Sequence, residues 1–210
     1  VTVEPSAWPD MSVLTAEYQT AARGRLDRHW EAPPLSSVSV SVVLRPANAE
    51  GRPLPTQSYS WLSLIGALAL RETLLETAGL PAELKWPNDV LVRGKKIAGI
   101  LAQLGPMVDG SVPPVILGTG LNVPLRGEEL PVPTATSVVL EAPRTADRTE
   151  LLKSYLSHFA VLYRSFCNAD GDPAAGLAGG PSLHKRVEAV MTTLGKQVRA
   201  QLPGDHEIIG

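Results

Sequence analysis

The sequence holds one cysteine, Cys167, in 210 residues, so it closes no internal disulfide, and a lone thiol suits a reducing compartment. Such a cysteine reads first as a small packed residue. The four histidines, at positions 29, 158, 184 and 206, share no metal-ligand spacing, which with a single cysteine argues against a zinc site. Neither sign of charge is in excess. Nineteen basic and 21 acidic side chains give a formal net charge of -2, so affinity for an anion must come from local clusters, and general coating of nucleic acid does not fit. No basic segment precedes an apolar core over Val1–Asp10, so no signal peptide is expected. The longest uncharged apolar stretch, Tyr59–Leu70, falls short of the about 20 residues that cross a bilayer. A soluble, cytoplasmic protein with no membrane or nucleic-acid partner is the expectation. Internal repeats, low-complexity tracts, the Gly-x-Ser-x-Gly elbow and the P-loop are all missing, which weakens hydrolase-triad and P-loop chemistry.

What is present suits one large domain, or a domain with a small appendage. Hydrophobic residues make up 44% and charged residues 19%, and a chain of this length buries roughly 70% of its unfolded surface. Eighteen glycines and 19 prolines imply many turns between short elements, with function carried on loops. Ser12–Ala16 reads as a short strand. Ser37–Leu44 alternates serine and valine and reads as a half-buried strand. From Ser60 to Ala78, Trp61, Leu64, Ile65, Leu68, Leu75 and Ala78 recur at helical steps, and Gly79 followed by Pro81 ends the helix. Further strands are expected at Glu83–Trp86, Val90–Arg93, Ile97–Leu104 and Val115–Val123, as a meander in a mixed sheet. Asp147 and Glu150 cap a helix whose stripe runs through Leu151, Leu152, Tyr155, Leu156, Phe159, Leu162, Tyr163 and Phe166. A Gly- and Pro-rich loop, Gly171–Pro181, precedes a shorter helix around Leu183–Met191. Gln197–Leu202 and His206–Ile209 are strand candidates about a Pro203-Gly204-Asp205 turn, and such a hairpin needs either the main body or a second small β domain to be stable.

Three clusters carry chemistry. In Gln19–Trp30, Arg23, Arg25 and Arg28 surround Gly24 and an aromatic closes the run. Planar guanidinium groups bind two oxygens of a phosphate or carboxylate, and Gly24 lets backbone approach a ligand; the same run would also serve as a solvated basic loop. Trp30 suits either stacking on a purine or capping the core. The second cluster is Lys85-Trp86-Pro87-Asn88-Asp89-Val90, followed by Lys95-Lys96-Ile97-Ala98-Gly99-Ile100. Pro87 donates nothing to a ladder, so Asn88 and Asp89 sit in a turn that re-aims side chains, or simply make the turn. A strand lysine beside Gly99 can reach a carboxylate or phosphate, and an aspartate nearby can hold Mg²⁺. In the third, Gly118-Thr119-Gly120-Leu121-Asn122, strand glycines mark a bulge or close backbone approach.

Taken together, the arginine-glycine loop, the Lys85–Asp89 block, the Lys96–Leu101 strand and Gly118-x-Gly120-x-Asn122 resemble the biotin protein ligases, in order and interval, from about Val13 to the end. The resemblance implies an α/β (α+β) catalytic domain, residues 1–191, with a mixed, mostly antiparallel sheet flanked by helices in the class II aminoacyl-tRNA-synthetase-like fold. Residues 192–210 would be the first strands of an incomplete SH3-like β-barrel. It implies synthesis of biotinyl-5′-AMP from biotin and ATP with Mg²⁺, then transfer to a lysine of a biotin carboxyl carrier protein of a carboxylase; a homodimer stays open. By similarity, Lys96, Arg25 and Asp89 are catalytic. Gln19, Arg23, Gly24, Arg25, Lys96 and Gly99 bind biotin, and Arg28, Trp30, Lys85, Asn88 and Asn122 bind the nucleotide. Asp89 is the metal candidate, directly or through water. Departures exist: Ala22 and Asp27 stand where the family loop has glycines, and Gln103 where a glutamate is common. Nothing before Val13 resembles the family's Ser-Thr helix. A non-catalytic biotin- or carrier-binding remnant, and a lipoate or octanoyl transferase, are the competing readings.

Overall fold

The computed structural model describes residues 7–25, 30, 32–107, 112–142, 147–177, 180–201 and 206–210. Six strands, β1 (Ser12–Ala16), β2 (Ser37–Leu44), β3 (Glu83–Lys85), β4 (Asp89–Val92), β5 (Lys95–Leu104) and β6 (Val115–Asn122), form one sheet in the order β1-β2-β6-β5-β4-β3. Its ladders are antiparallel, and parallel pairing occurs at the isolated bridges Leu84–Met191 and Lys96–Ala135. Helices α1 (Trp61–Ala78), α2 (Val138–Glu141), α3 (Arg148–Asn168) and α4 (Leu183–Glu188) complete the domain. Among the described residues no helix is long and apolar enough to cross a membrane.

Alternation in β2 sends Val38, Val40, Val42 and Leu44 into the core. The strand is not half-buried as expected, because Ser37 and Ser39 are buried too. β2 lies between β1 and β6, and the two serine hydroxyls bond to each other at 3.1 Å, which satisfies them away from water. Helix α1 likewise differs from a one-faced helix. It is packed between the sheet and α3, so Leu62, Ile65, Ala67, Leu68, Ala69, Leu70 and Leu74 are all buried, while Leu75, expected on the core face, is 47% exposed. Gly79 ends α1 in the left-handed region (φ +66°), donating to the Leu75 carbonyl as Leu80 donates to that of Leu74.

Asp147 caps α3 by accepting from the amides of Thr149 (2.6 Å) and Glu150 (3.2 Å), which holds its carboxyl below the ordinary range. The stripe Leu151, Tyr155, Phe159, Leu162, Tyr163 and Phe166 is buried against α1 and the sheet. His158 reaches Glu76 (2.7 Å) and Glu72 (3.5 Å) on α1, and Arg186 of α4 also pairs with Glu72, so one polar clasp joins three helices. Helix α4 stops at Glu188, earlier than Met191, because Val190 and Thr192 bond to Leu84 of β3. Sequence periodicity misses α2 and the 3₁₀ turns Thr56–Ser60 and Gly127–Glu129, which are shorter than any window that reveals a period. At the end of the chain β7 (Arg199–Gln201) and β8 (Glu207–Ile209) form a separate two-stranded ladder, extended by mutual Val198 and Gly210 backbone bonds. The expected turn at 203–205 lies outside the described residues.

Candidate active site

The helices cover one face of the sheet, and the other face opens into a cavity of about 1420 Å³. Its floor is glycine. In β6 the alternation sends Leu117 and Leu121 to the core and places Gly118, Gly120 and Asn122 on the open side, where Gly120 pairs with Gly99 of β5. These glycines admit neighbouring side chains rather than bending the strand. A Cβ at Gly120 would lie 2.7 Å from the Trp30 ring, and one at Gly99 3.3 Å from the Lys96 ammonium.

Lys96 reaches this floor through a β-bulge. Asp89 pairs with Gly99 and Val90 with Ala98, but Leu91 pairs with Lys96, so Ile97 is left over. Ile97 and Ala98 are both fully buried, which breaks the strict alternation and turns Lys96 and Gly99 to the cavity together. The Lys96 ammonium stands 2.6 Å from the Asp89 carboxylate and 5.8 Å from the centroid of the Trp30 ring. The Asn88 carbonyl accepts from the Ile100 amide at 2.9 Å, which pins the Pro-Asn-Asp turn to β5.

Two buried polar atoms of the cavity's lining residues have no protein partner among the described residues. The Asn122 side-chain amide donates to the Thr136 carbonyl at 3.0 Å, leaving its Oδ1 unpaired, and Trp30 Nε1 is unpaired as well. Such orphans are costly unless a ligand or water meets them. The charges around them are lopsided. Arg23, Arg25, Lys85, Lys96 and Arg199 line the cavity, and Asp89 is the one carboxylate in its described lining. A surplus of cations around a glycine floor suits anionic ligands, and the volume exceeds the 300–1,000 Å³ of an ordinary small-molecule pocket.

Every sequence-derived candidate that the structure describes lines this one cavity: Gln19, Arg23, Gly24, Arg25, Trp30, Lys85, Asn88, Asp89, Lys96, Gly99 and Asn122. Arg28, and the Asp27 departure, lie outside the described residues. Gln103 lines the cavity too. The sequence reading missed the Thr134–Thr136 segment, which bonds to the Lys96 backbone, and Glu141, which holds it. Its only signal is the polar Thr134-Ala135-Thr136-Ser137 run before an apolar pair, a helix-start pattern; Ser137 does cap α2. Cys167 is packed as expected, and burial pushes its thiol up to about 11, so it carries no thiolate chemistry. Among the described residues no three His, Cys, Asp or Glu side chains gather to hold a metal.

The sequence model of the biotin/lipoate A/B protein ligase family matches residues 3–122. The chain is 36% identical over 204 residues to the biotin–[acetyl-CoA-carboxylase] ligase of Mycobacterium tuberculosis, covering 96% of this chain and 68% of that protein. It is 34% identical over 161 residues to the bifunctional ligase/repressor BirA of Bacillus subtilis, covering 75% of this chain and 47% of that protein, so it spans less than half of the latter. Among solved structures it superposes on the biotin protein ligase of Aquifex aeolicus in complex with biotin and ATP, with a TM-score of 0.71 and 29% identity, over 94% of this chain and 75% of that one.

Proposed function

The chain belongs to the biotin protein ligases, within the biotin/lipoate A/B protein ligase family, and on that footing we propose that its cavity makes biotinyl-5′-AMP and passes the biotinyl group to a lysine of a biotin carboxyl carrier domain. One observation carries the proposal: Lys96, set on the glycine floor beside Asp89, shares a single cavity with the Arg23–Arg25 loop.

Each step asks something definite of these residues. In the first, an oxygen of biotin's carboxylate attacks the α-phosphorus of ATP, the α–β phosphoanhydride bond breaks, and pyrophosphate leaves. Both reactants are anions, so cations at their junction remove repulsion and stabilise the charge that develops. Lys96 is placed for that, with Asp89 orienting its ammonium. Arg25 and Arg23, flanking Gly24, approach from the loop, and Gln19 serves the biotin end. Trp30, Lys85, Asn88 and Asn122 serve the nucleotide end. Enclosure by the loop keeps water from the mixed anhydride. In the second step the carrier's neutral amine attacks the biotinyl carbonyl, the acyl–oxygen bond breaks, AMP departs, and the proton lost from the amine nitrogen passes to solvent.

Mg²⁺ neutralises triphosphate charge when it accompanies ATP. The described donor set fits an ion delivered on the phosphates and not one caged by protein, since Asp89 is the lone carboxylate among the described lining residues and Lys96 already engages it. We take residues 192–210 as the opening of a small barrel, a reading supported by β7, which borders the cavity; a cytoplasmic setting goes with the carrier partner. Exchange of pyrophosphate into ATP tests the function. Exchange that requires biotin, followed by labelling of a carrier domain, is the expected result. Biotin binding without exchange would replace the enzyme with a binding remnant.

A further inference from the structure

We infer that Glu141, which does not line the cavity, is a positioning residue for its nucleotide end, acting through Thr136 on both Lys96 and Asn122. The inference rests on the functional reading above for what that end binds.

The segment from Thr134 to Ser137 has no regular secondary structure, yet it bridges the adjoining ends of the two strands that carry the site, at Lys96 of β5 and Asn122 of β6. The Lys96 amide donates to the Thr134 carbonyl and the Thr136 amide donates to the Lys96 carbonyl, both at 2.8 Å. The Thr136 carbonyl accepts from the Asn122 side-chain amide. The two backbone groups of Thr136 therefore address the catalytic lysine's strand and the buried asparagine, one each.

Thr136 has a side-chain anchor as well, since beyond the single Lys96–Ala135 bridge its segment has no ladder to hold it. Its hydroxyl donates to Glu141 Oε1 at 2.7 Å, and Glu141 Oε2 accepts from Arg93 at 2.9 Å. The Glu141 side chain is 9% exposed, whereas that of Arg93 is 74% exposed. A carboxylate so enclosed is costly unless both oxygens are occupied, and here both are. Arg93 and Gly94 form the tight β4–β5 turn, both in the left-handed region (φ +49° and +76°), three residues before Lys96. Glu141 thus ties the tip of the lysine's hairpin to the segment that orients Asn122. With its Nδ2 committed to Thr136, Asn122 presents Oδ1 as an acceptor in one fixed direction. Release of Thr136 frees that amide to turn and lets the Lys96 backbone drift, while Gln19 and the Arg23–Arg25 loop, which belong to another part of the chain, stay in place.

The variants are Glu141→Ala, Thr136→Val and the conservative Glu141→Gln and Thr136→Ser. Misplacement of about 1 Å from a distant change costs up to about a hundredfold. Glu141→Ala and Thr136→Val should raise KM for ATP at least about tenfold and KM for biotin by clearly less, since Lys96 meets both reactants but Asn122 only the nucleotide, and Thr136→Ser should restore the ATP value. Amide hydrogen exchange on the ligand-free proteins should show Lys96 and Thr136 exchanging faster in Glu141→Ala, and in Thr136→Val if the alanine variant does not fold, while Glu141→Gln, which keeps an acceptor for the Thr136 hydroxyl, should stay closer to the unsubstituted rates. Equal rises in both KM values, unchanged KM values, or unchanged exchange at those amides would overturn the inference. Loss of pyrophosphate exchange in the unsubstituted protein would instead refute the functional reading. The amide measurement then decides the anchoring role by itself.

Discussion

The two faces of the central sheet come from the same strands and behave as two materials. Toward the helices, Ile100 and Leu117 meet α1 so closely that a Cβ at Gly66 would lie 3.3 Å from each, and Tyr155 of α3 donates to or accepts from Thr119 at 2.7 Å. The apolar side chains there are closely packed, and burial raises the pKa of the Tyr155 hydroxyl, favouring its neutral form. Toward the cavity, Gly99, Gly118 and Gly120 carry no side chains, and the surrounding groups are cations with orphaned polar atoms between them. One face spends its residues on density, the other on an open, glycine-floored cavity. Stability and activity should therefore be separable by substitution, face by face.

The sharpest test pairs one residue from each face. Phe159→Ala empties a fully buried position in the helix layer and should cost about 3–5 kcal/mol, read by chemical or thermal unfolding, with substrate KM values of the remaining folded protein preserved. Lys96→Ala should do the reverse. Adenylate formation should fall by about 10²–10³-fold or more, with a thermal midpoint moved by only a few degrees, because an ion pair still partly open to solvent contributes little to folding. Normal pyrophosphate exchange in Lys96→Ala, or its unfolding, would erase the distinction.

A subtler test adds one methyl group to the floor. Gly120→Ala puts a carbon 2.7 Å from the Trp30 ring, and no real contact is that short, so the indole must move. Nucleotide affinity should weaken about tenfold while the fold holds, since the ring sits at the cavity and not in the core. An unaltered affinity would show that Trp30 has room to give way at no expense.

The smallest effect belongs to the helix layer's edge. The Asp147 carboxylate, held below its ordinary pKa by two backbone amides, contributes stability that is complete above the unfolded value and is lost as pH falls through the lower folded one. Asp147→Ala should therefore lower the thermal midpoint slightly at neutral pH, and the gap from the unsubstituted protein should close in acid. A gap independent of pH would refute the capping role.

Legibility in the sequence followed range. Strands β1 and β2 and the span of α3 could be read from alternation, periodicity and caps, all of which act within a few residues. The two-sided burial of β2 and α1 could not, because a period reports one covered face and says nothing of what lies against the other. In the site, Arg23–Arg25, Lys85–Asp89, Lys96 and Asn122 announced themselves as polar or glycine-bounded interruptions, and a family resemblance gathered them. Thr136 and Glu141 carried no such mark. A buried carboxylate in a four-residue helix looks like any surface glutamate until its partners, Arg93 and Thr136, are seen to converge on it.

By itself, then, the sequence determined which segments extend, coil and turn, and which residue types stand ready for an anion, since backbone preference and side-chain chemistry are local properties. Only the tertiary structure decided that a loop near residue 24, a hairpin near residue 90 and a strand near residue 120 enclose one space, and that a bulge turns Lys96 into it. Distances between groups a hundred residues apart are set by how the sheet packs and registers, a collective outcome that no short stretch of chain encodes.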